Sequence, residues 1–305
     1  MHCDCALDVE NNLGVNFATL SCFVVDETTL FRYSAHAVTA LRLPHQARVV
    51  FAHKEVIQSS DFVLFPEYWQ LNALIYGLGA KVFPSEASYR IGHNKIEMTR
   101  VFQTLCPAHT PDTLILPKSA DALSEVLRQL NYPFVAKISK SSRGEGVFLI
   151  ENRNDWARYY EQTDVIYAQE YLPIDRDLRL VLIGEKVIGG YWRLQADKGF
   201  YNNISQGGTM MAGRLPRAAV RLVEDFAKRT GVDHAGFDIA MVGRHPYFLE
   251  FNRIFGTAGV SSLIGDLSPA IMEWLRSKMD DDKPIEPITP RPTVSGRRAR
   301  LRRVA

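Results

Sequence analysis

The chain has 305 residues, 46% of them hydrophobic and 23% charged, with a formal net charge of +2. That composition supports a sizeable core and excludes wholesale disorder, and the length suits roughly two domains. Apolar runs stop at about four residues where a membrane helix needs ~20, so no transmembrane span is expected.

Of the 36 basic residues, six arginines fall in 291–305 with no acid among them, which leaves 30 against 34 acids elsewhere. The body is therefore slightly acidic, and only the tail has the charge for a nucleic acid. Asp4, Asp8 and Glu10 do not fit the basic-then-apolar pattern of a secretion signal. Cys3, Cys5, Cys22 and Cys106 are too few and too clustered for a disulfide framework, which points to reduced thiols in a cytoplasm.

In chain order, 17–25, 48–52, 61–65 and 81–83 have strand length, and 34–43 and 67–78 have helical spacing. That rhythm predicts a small open α/β domain with a largely parallel sheet. A helix follows at 94–105, a strand at 113–116 and an amphipathic helix at 119–130 carrying Leu123, Val126, Leu127 and Leu130 on one stripe. Strands are expected at 133–138, 147–150 and 165–172, with a helix at 155–162. The pattern then turns hairpin-like, with strands at 178–183, 186–194, 235–242 and 247–252. Helices are expected at 216–229, entered by Pro216, and at 269–279. Residues 280–305, rich in proline and arginine, read as a disordered extension.

Three features carry chemistry. Lys137 lies in an apolar strand and is followed by the loop 139–146, whose glycines let backbone N–H groups approach a polyanion. Alone, this reads rather as a snorkelling edge lysine before a flexible hairpin. The glycines do not follow Walker spacing. Second, folding 236–240 against 248–252 about the turn at Gly243 sets Asp238 opposite Glu250, with Asn252 on the same face. Phe237, Ile239, Leu249 and Phe251 would face the core. Adjacent carboxylates repel unless a cation lies between them, and hard oxygens suit Mg2+ or Mn2+; the same face can also be merely wet. Third, Gln169-Glu170-Tyr171 and Asp177-Leu178-Arg179 sit where the chain crosses between domains. They offer backbone groups to a purine edge and a carboxylate to a ribose, or form an ordinary strand end and turn.

Asn94-Lys95, 133–146, Gln169–Tyr171, Asp177-x-Arg179, Gly236-x-Asp238-Ile239 and Leu249-Glu250-Phe251-Asn252, in this order, resemble the ATP-grasp superfamily. The nearest resemblance is to its RimK-like glutamate ligases, and it covers about residues 85 to 279. It implies an ATP-grasp fold, mixed α/β and α+β, in four parts. These are a small N-terminal open α/β domain (1–88), a central lid lobe (89–172), a C-terminal antiparallel-sheet lobe (173–279) and a disordered basic tail (280–305).

The resemblance further implies that Lys95 and Lys137 contact the phosphates of ATP. The loop carrying Ser142, Gly144 and Gly146 would close over them. Glu170 and Tyr171 would line the adenine site, Asp177 would face the ribose, and Asn203 would lie near the phosphates and metal. Asp238, Glu250 and Asn252 would hold one or two Mg2+ or Mn2+ ions. Arg193 would face the reacting carboxylate. The implied reaction joins a carboxylate donor to an amine acceptor through an acylphosphate, adding glutamate or another amino acid to a peptide, protein or small metabolite. Alternatives are a non-catalytic ATP-binding module and a grasp-fold kinase acting on a small molecule.

The chain departs from the family pattern at Tyr201, Gln206 and 253–256, which border the substrate site; Arg253 offers a positive charge from a new position. The His2–Cys5 segment lacks a second metal knuckle and reads as a frayed end. Trp156 and Tyr191 read as packing residues, and His234 and His245 as turn or strand-end residues. The arginine-rich tail reads as solvated, with RNA, a ribosome or an acidic protein as its minority partners.

Overall fold

The computed structural model describes residues 20–23, 31–35, 38–42, 54–139, 146–194, 209–253, 255, 260 and 262–281. They form three sheets. The first runs β1 (Leu20–Phe23), β2 (Phe31–Ala35), β3 (Val38–Arg42), β4 (Phe62–Leu64) and β5 (Val82–Phe83) in spatial order. Only β3–β4 and β4–β5 are parallel; β1–β2–β3 is an antiparallel meander. The expected helix at 34–43 is thus two strands, and the sheet is half rather than largely parallel. A ten-residue window of small and β-branched residues fits either period, and here the pairing of β3 with β4 decides it. The expected strand at 48–52 lies outside the described residues.

A short helix, α1 (Lys54–Gln58), and a helical segment over 68–78 flank this sheet. Its buried Phe62, Leu64 and Phe83 pack against Leu275 of the last helix, α7 (Ser268–Asp281).

The second sheet has the order β6 (Thr113–Pro117), β9 (Val165–Glu170), β7 (Phe134–Lys137), β8 (Val147–Ile150), all antiparallel. Its helices α4 (Ala122–Leu127) and α5 (Arg153–Gln162) cover one face, burying Phe134, Ala136, Ile150, Trp156, Tyr159, Ile166 and Ala168. Alternation turns Lys137, Tyr167 and Gln169 to the other face.

The third sheet runs β12 (Thr209–Met211), β11 (Lys186–Leu194), β10 (Arg176–Ile183), β13 (His234–Val242), β14 (His245–Asn252), antiparallel throughout. Against it packs α6 (Arg217–Thr230), whose buried Ala219, Leu222, Val223, Phe226 and Ala227 recur at helical spacing. Gly231, at φ 77°, ends that helix in the left-handed conformation.

Asp238 pairs with Glu250 as the hairpin reading requires, but Ile239 pairs with Phe248. A β-bulge absorbs Leu249. Phe248 therefore enters the core and stacks on Phe102 at 4.4 Å, while Leu249, expected there, is only half-buried.

Helix α2 (Glu86–Ile91) leads into α3 (Lys95–Leu105). Asn94 caps α3 by accepting from the Ile96 and Glu97 amides at 2.9 Å, which fixes Lys95 at its first position. α3 touches two sheets. Met98 and Phe102 join the core of the third, and Thr99 bonds the Tyr167 hydroxyl of the second at 2.8 Å.

Candidate active site

The polar face of the third sheet is built by alternation. On β10, Leu178 and Leu180 enter the core, so Asp177 and Arg179 turn the other way. Register sets Arg193 beside Asp177 and Asp238 beside Arg179, with Glu250 beyond Asp238.

Four of these charges form a closed group, each at most 8% exposed. Arg193 holds Asp177 in a two-pronged pair, 2.7 Å on each arm. Arg179 grips Asp238 with Nε and Nη2, and Arg193 Nη2 also reaches Asp238 Oδ2 at 3.0 Å. Burial alone would raise the Asp238 pKa, but the Arg179 and Arg193 guanidinia hold it below the usual carboxylate value. Asp177 is raised, because burial outweighs its pairing with Arg193. Arg193 is held fully charged: burial opposes this, and Asp238 and Asp177 overcome it.

Beyond that neutral group lie two lysines from other elements. Burial lowers the pKa of Lys137, against the pull of Glu250 and Asp238. Burial lowers Lys95 too; Glu250 opposes the shift and Lys137 adds to it. The two ammonium groups, Glu250 and Asp238 therefore share one electrostatic neighbourhood. Lys137 Nζ stands 5.5 Å from the Tyr167 ring centre, and burial pushes Tyr167 up to about 12. Tyr167 is locked by Thr99 and by Gln169, which also donates to Thr113 at 2.8 Å.

The structure thus brings Lys95, Lys137, Asp238 and Glu250 together. Asn252 joins them through a 3.3 Å bond from its amide to Glu250 Oε1. Two of the expected site residues are engaged with each other. Asp177, expected to face a ribose, has both oxygens engaged by Arg193. Arg193, expected to face a reacting carboxylate, spends Nε and Nη2 on Asp177 and Asp238 and keeps only Nη1 without a hydrogen bond among the described residues.

Glu170, expected at the adenine, accepts from the Asp112 amide at 3.0 Å, and Tyr171 is half-buried. Gly146 is buried, and its carbonyl accepts from Ile138 at 2.7 Å. Ser142, Gly144 and Asn203 lie outside the described residues, as do Tyr201 and Gln206. The sequence reading gives Arg179, Tyr167 and Thr99 no role. The Asp177-x-Arg179 spacing was the available signal for Arg179; nothing in the sequence marked the other two.

The donor set fits a polyphosphate. The ammonium groups of buried Lys137 and half-buried Lys95, both with depressed pKa values, are each relieved by an incoming anion. It fits a divalent cation less fully. Glu250 and Asn252 offer oxygens, but Asp238 already accepts three bonds, leaving about one of its roughly four acceptor positions. No group of three or more His, Cys, Asp or Glu side chains among the described residues has metal-binding geometry.

A family model described as the RimK-like ATP-grasp domain matches residues 94–275. The chain belongs to the RimK-like ATP-grasp family. A probable alpha-L-glutamate ligase of Stenotrophomonas maltophilia strain R551-3 is 29% identical over 148 residues, 46% of this chain and 51% of that protein. Another from Vibrio cholerae serotype O1 is 30% identical over 150 residues, 47% of this chain and 50% of that one. The chain spans about half the length of these curated relatives.

Solved structures share the fold. D-alanine–D-alanine ligase from Bacillus anthracis aligns with TM-score 0.60 at 16% identity, covering 79% of this chain and 88% of that one. A RimK domain ATP-grasp protein from Sphaerobacter thermophilus aligns with TM-score 0.54 at 18% identity, covering 71% and 81%. All described site residues, from Lys95 to Asn252, fall inside the RimK-like region; the first sheet lies outside it. No helix among the described residues is long and apolar enough to cross a membrane.

Proposed function

We propose that this chain is an ATP-dependent ligase that joins a carboxylate to an amine as an amide, through an acylphosphate, with release of ADP and phosphate. The carrying observation is the convergence of Lys95 from α3, Lys137 from β7 and Glu250 from β14 on one cluster, in which burial lowers the pKa of both lysines and Glu250 opposes that shift. Glutamate or another amino acid is the group added, to a peptide, protein or small metabolite.

The chemistry asks for little covalent help. A carboxylate oxygen attacks the γ-phosphorus, and the bond to ADP breaks. The amine then attacks the acyl carbon, and phosphate leaves from the tetrahedral intermediate. Lys95 and Lys137 neutralise charge on the transferring group. Burial makes that interaction stronger than in water. Nη1 of Arg193 is the donor for the oxyanion, and the Asp177 and Asp238 carboxylates hold that guanidinium in place. Glu250 and Asn252 would hold a divalent cation, which supplies charge neutralisation at the phosphates. Asp238 would join them through its remaining acceptor position. The loop with Ser142, Gly144 and Gly146 would cover the phosphates, and Asn203 would lie beside them. Glu170 and Tyr171 would line the adenine. The same reading divides the chain at 88/89, 172/173 and 279/280.

One observation favours a second reading, nucleotide binding without turnover: the arginines occupy most of Asp238. Mass spectrometry separates the two. Candidate acceptors from a cell extract, incubated with ATP, Mg2+ and the protein, gain the mass of the attached group, and a Glu250→Ala control does not add it. Phosphate on a hydroxyl instead means a kinase. ATP binding with no mass change on any acceptor means a binding module.

A further inference from the structure

Lys95 and Lys137 reach the site from different supports. Met98 and Phe102 seat α3, and with it Lys95, on the core of the third sheet. Lys137 belongs to β7 of the second sheet. An anion held by both ammonium groups requires one spacing between them, and Tyr167 on β9 touches both supports. Its ring centre lies 5.5 Å from Lys137 Nζ, within reach of a cation–π contact. Its hydroxyl shares a 2.8 Å hydrogen bond with Thr99 Oγ1. Thr99 follows Lys95 by four residues, so the two share a face of α3 one turn apart. The Lys95 amide also donates to the Ser139 carbonyl at 3.3 Å, just beyond β7. That bond at the start of α3 and the Thr99 bond one turn on fix the direction of the helix relative to β7.

Tyr167 is fully buried and is itself held at both ends. Its backbone N–H donates to the Tyr159 hydroxyl at 2.7 Å, and that hydroxyl reaches the Lys137 carbonyl at 3.3 Å. One buried phenol thus joins β7 and β9 where Lys137 and Tyr167 flank the paired Ala136 and Ala168. Gln169 donates to the Tyr167 hydroxyl at 3.4 Å. The phenol also faces the site: burial raises its pKa most, and Glu250, which opposes the fall of both lysines, raises it further. The hydroxyl therefore stays protonated through the neutral range. A phenylalanine would fill nearly the same volume, so what the hydroxyl adds is the link to α3.

We propose that Tyr167 is a positioning residue: its ring seats the Lys137 ammonium and its hydroxyl, through Thr99, holds the first turn of α3, so that Lys95 and Lys137 meet the phosphates of ATP at one spacing. The inference rests on the reading that both lysines contact the nucleotide. Long lysine side chains lose rotamer entropy when a ligand orders them, and a seat prepared in advance reduces that loss. Tyr167 acts through the two lysines.

The test is titration of the full chain with Mg2+ and a non-hydrolysable ATP analogue. Tyr167→Phe keeps the ring and removes the hydroxyl; Thr99→Val removes the other half of the same bond. Each weakens analogue binding about 3- to 10-fold. The double variant loses about as much as either single one, because one bond is missing in all three. Thr99→Ser keeps a hydroxyl and recovers most of what Thr99→Val loses. The deciding measurement uses the lysine. In a Lys137→Met background there is no second ammonium to space, so adding Tyr167→Phe changes affinity by less than about 2-fold. A hydroxyl that served only the stability of the fold would weaken binding equally in both backgrounds.

Equal weakening in the wild-type and Lys137→Met backgrounds overturns the proposal. So does wild-type affinity in Tyr167→Phe, and so do additive losses in the double variant. Melting midpoints on the same samples identify a variant that is unfolded at the titration temperature. Should Tyr167→Phe be one, Thr99→Val in the two backgrounds makes the same comparison from the α3 side. The reading beneath fails differently: a Lys137→Met protein that binds the analogue as tightly as wild type removes that lysine from the phosphates, whatever Tyr167 does.

Discussion

Arg193→Ala takes from Asp177 both hydrogen bonds it accepts at 2.7 Å and leaves a carboxylate that is 4% exposed. It also removes one of the three bonds on Asp238. Breaking a buried pair by removing one partner costs about 3–5 kcal/mol, because the remaining charge is stranded, and a value in that range is expected here. Replacing both partners by apolar residues of similar volume, Arg193→Met with Asp177→Leu, recovers most of the loss. Urea unfolding followed by tryptophan fluorescence and circular dichroism measures both.

The single variant also responds to pH. With its partner gone, the Asp177 pKa rises further above its unfolded value. The folded state then binds more protons than the unfolded one, so the deficit shrinks as pH falls from 7 towards 5. A cost under about 1 kcal/mol for Arg193→Ala, or strict additivity in the double variant, would show that this buried group does not act as a unit.

Other outcomes follow from the same geometry. Burial lowers the His234 pKa from 6.5 to about 4, so the unfolded state binds the extra proton. His234 therefore contributes stability that is intact above pH 6.5 and is lost progressively down to pH 4, by up to about 3 kcal/mol. Urea midpoints across that range should slope in wild type and flatten in His234→Phe. Lys137→Met weakens ATP binding about 10- to 100-fold by titration, yet raises the melting midpoint, because a buried ammonium with a depressed pKa costs stability near pH 7. A fall in midpoint would contradict this. At Gly236, a Cβ would meet Arg179 Nη1 at 2.9 Å and Phe255 Cγ at 3.1 Å. Arg179 is fixed by its ion pair, so Gly236→Ala is expected to destabilise by about 1–3 kcal/mol in denaturant melts; a neutral result means the arginine can move.

The parts of the fold nearest the chemistry were legible because their signals are local. Asn94 caps a helix by its side chain, and the turn at Gly243 pins two alternating strands, so the facing of Asp238 and Glu250 is written in the sequence itself. The first sheet was misread at 34–43 because its short strands are defined by partners far along the chain. The bulge at Leu249 was invisible because one inserted residue changes no composition. The arginine pairings were hidden for another reason. Asp177, Arg179, Arg193 and Asp238 could each be set on the polar face, but which acid meets which base depends on the register of three strands at once. The bond between Thr99 and Tyr167 is likewise a property of assembled surroundings.

The extra residue at Leu249 frees β14 from a constraint. A regular strand must alternate, so two residues three positions apart cannot both face inward. Here Phe248 and Phe251, three positions apart, both reach the hydrophobic interior, while Glu250 and Asn252 keep their two-residue step on the opposite side. One inserted residue thus lets both aromatic rings fill the interior without turning either polar side chain away from the site.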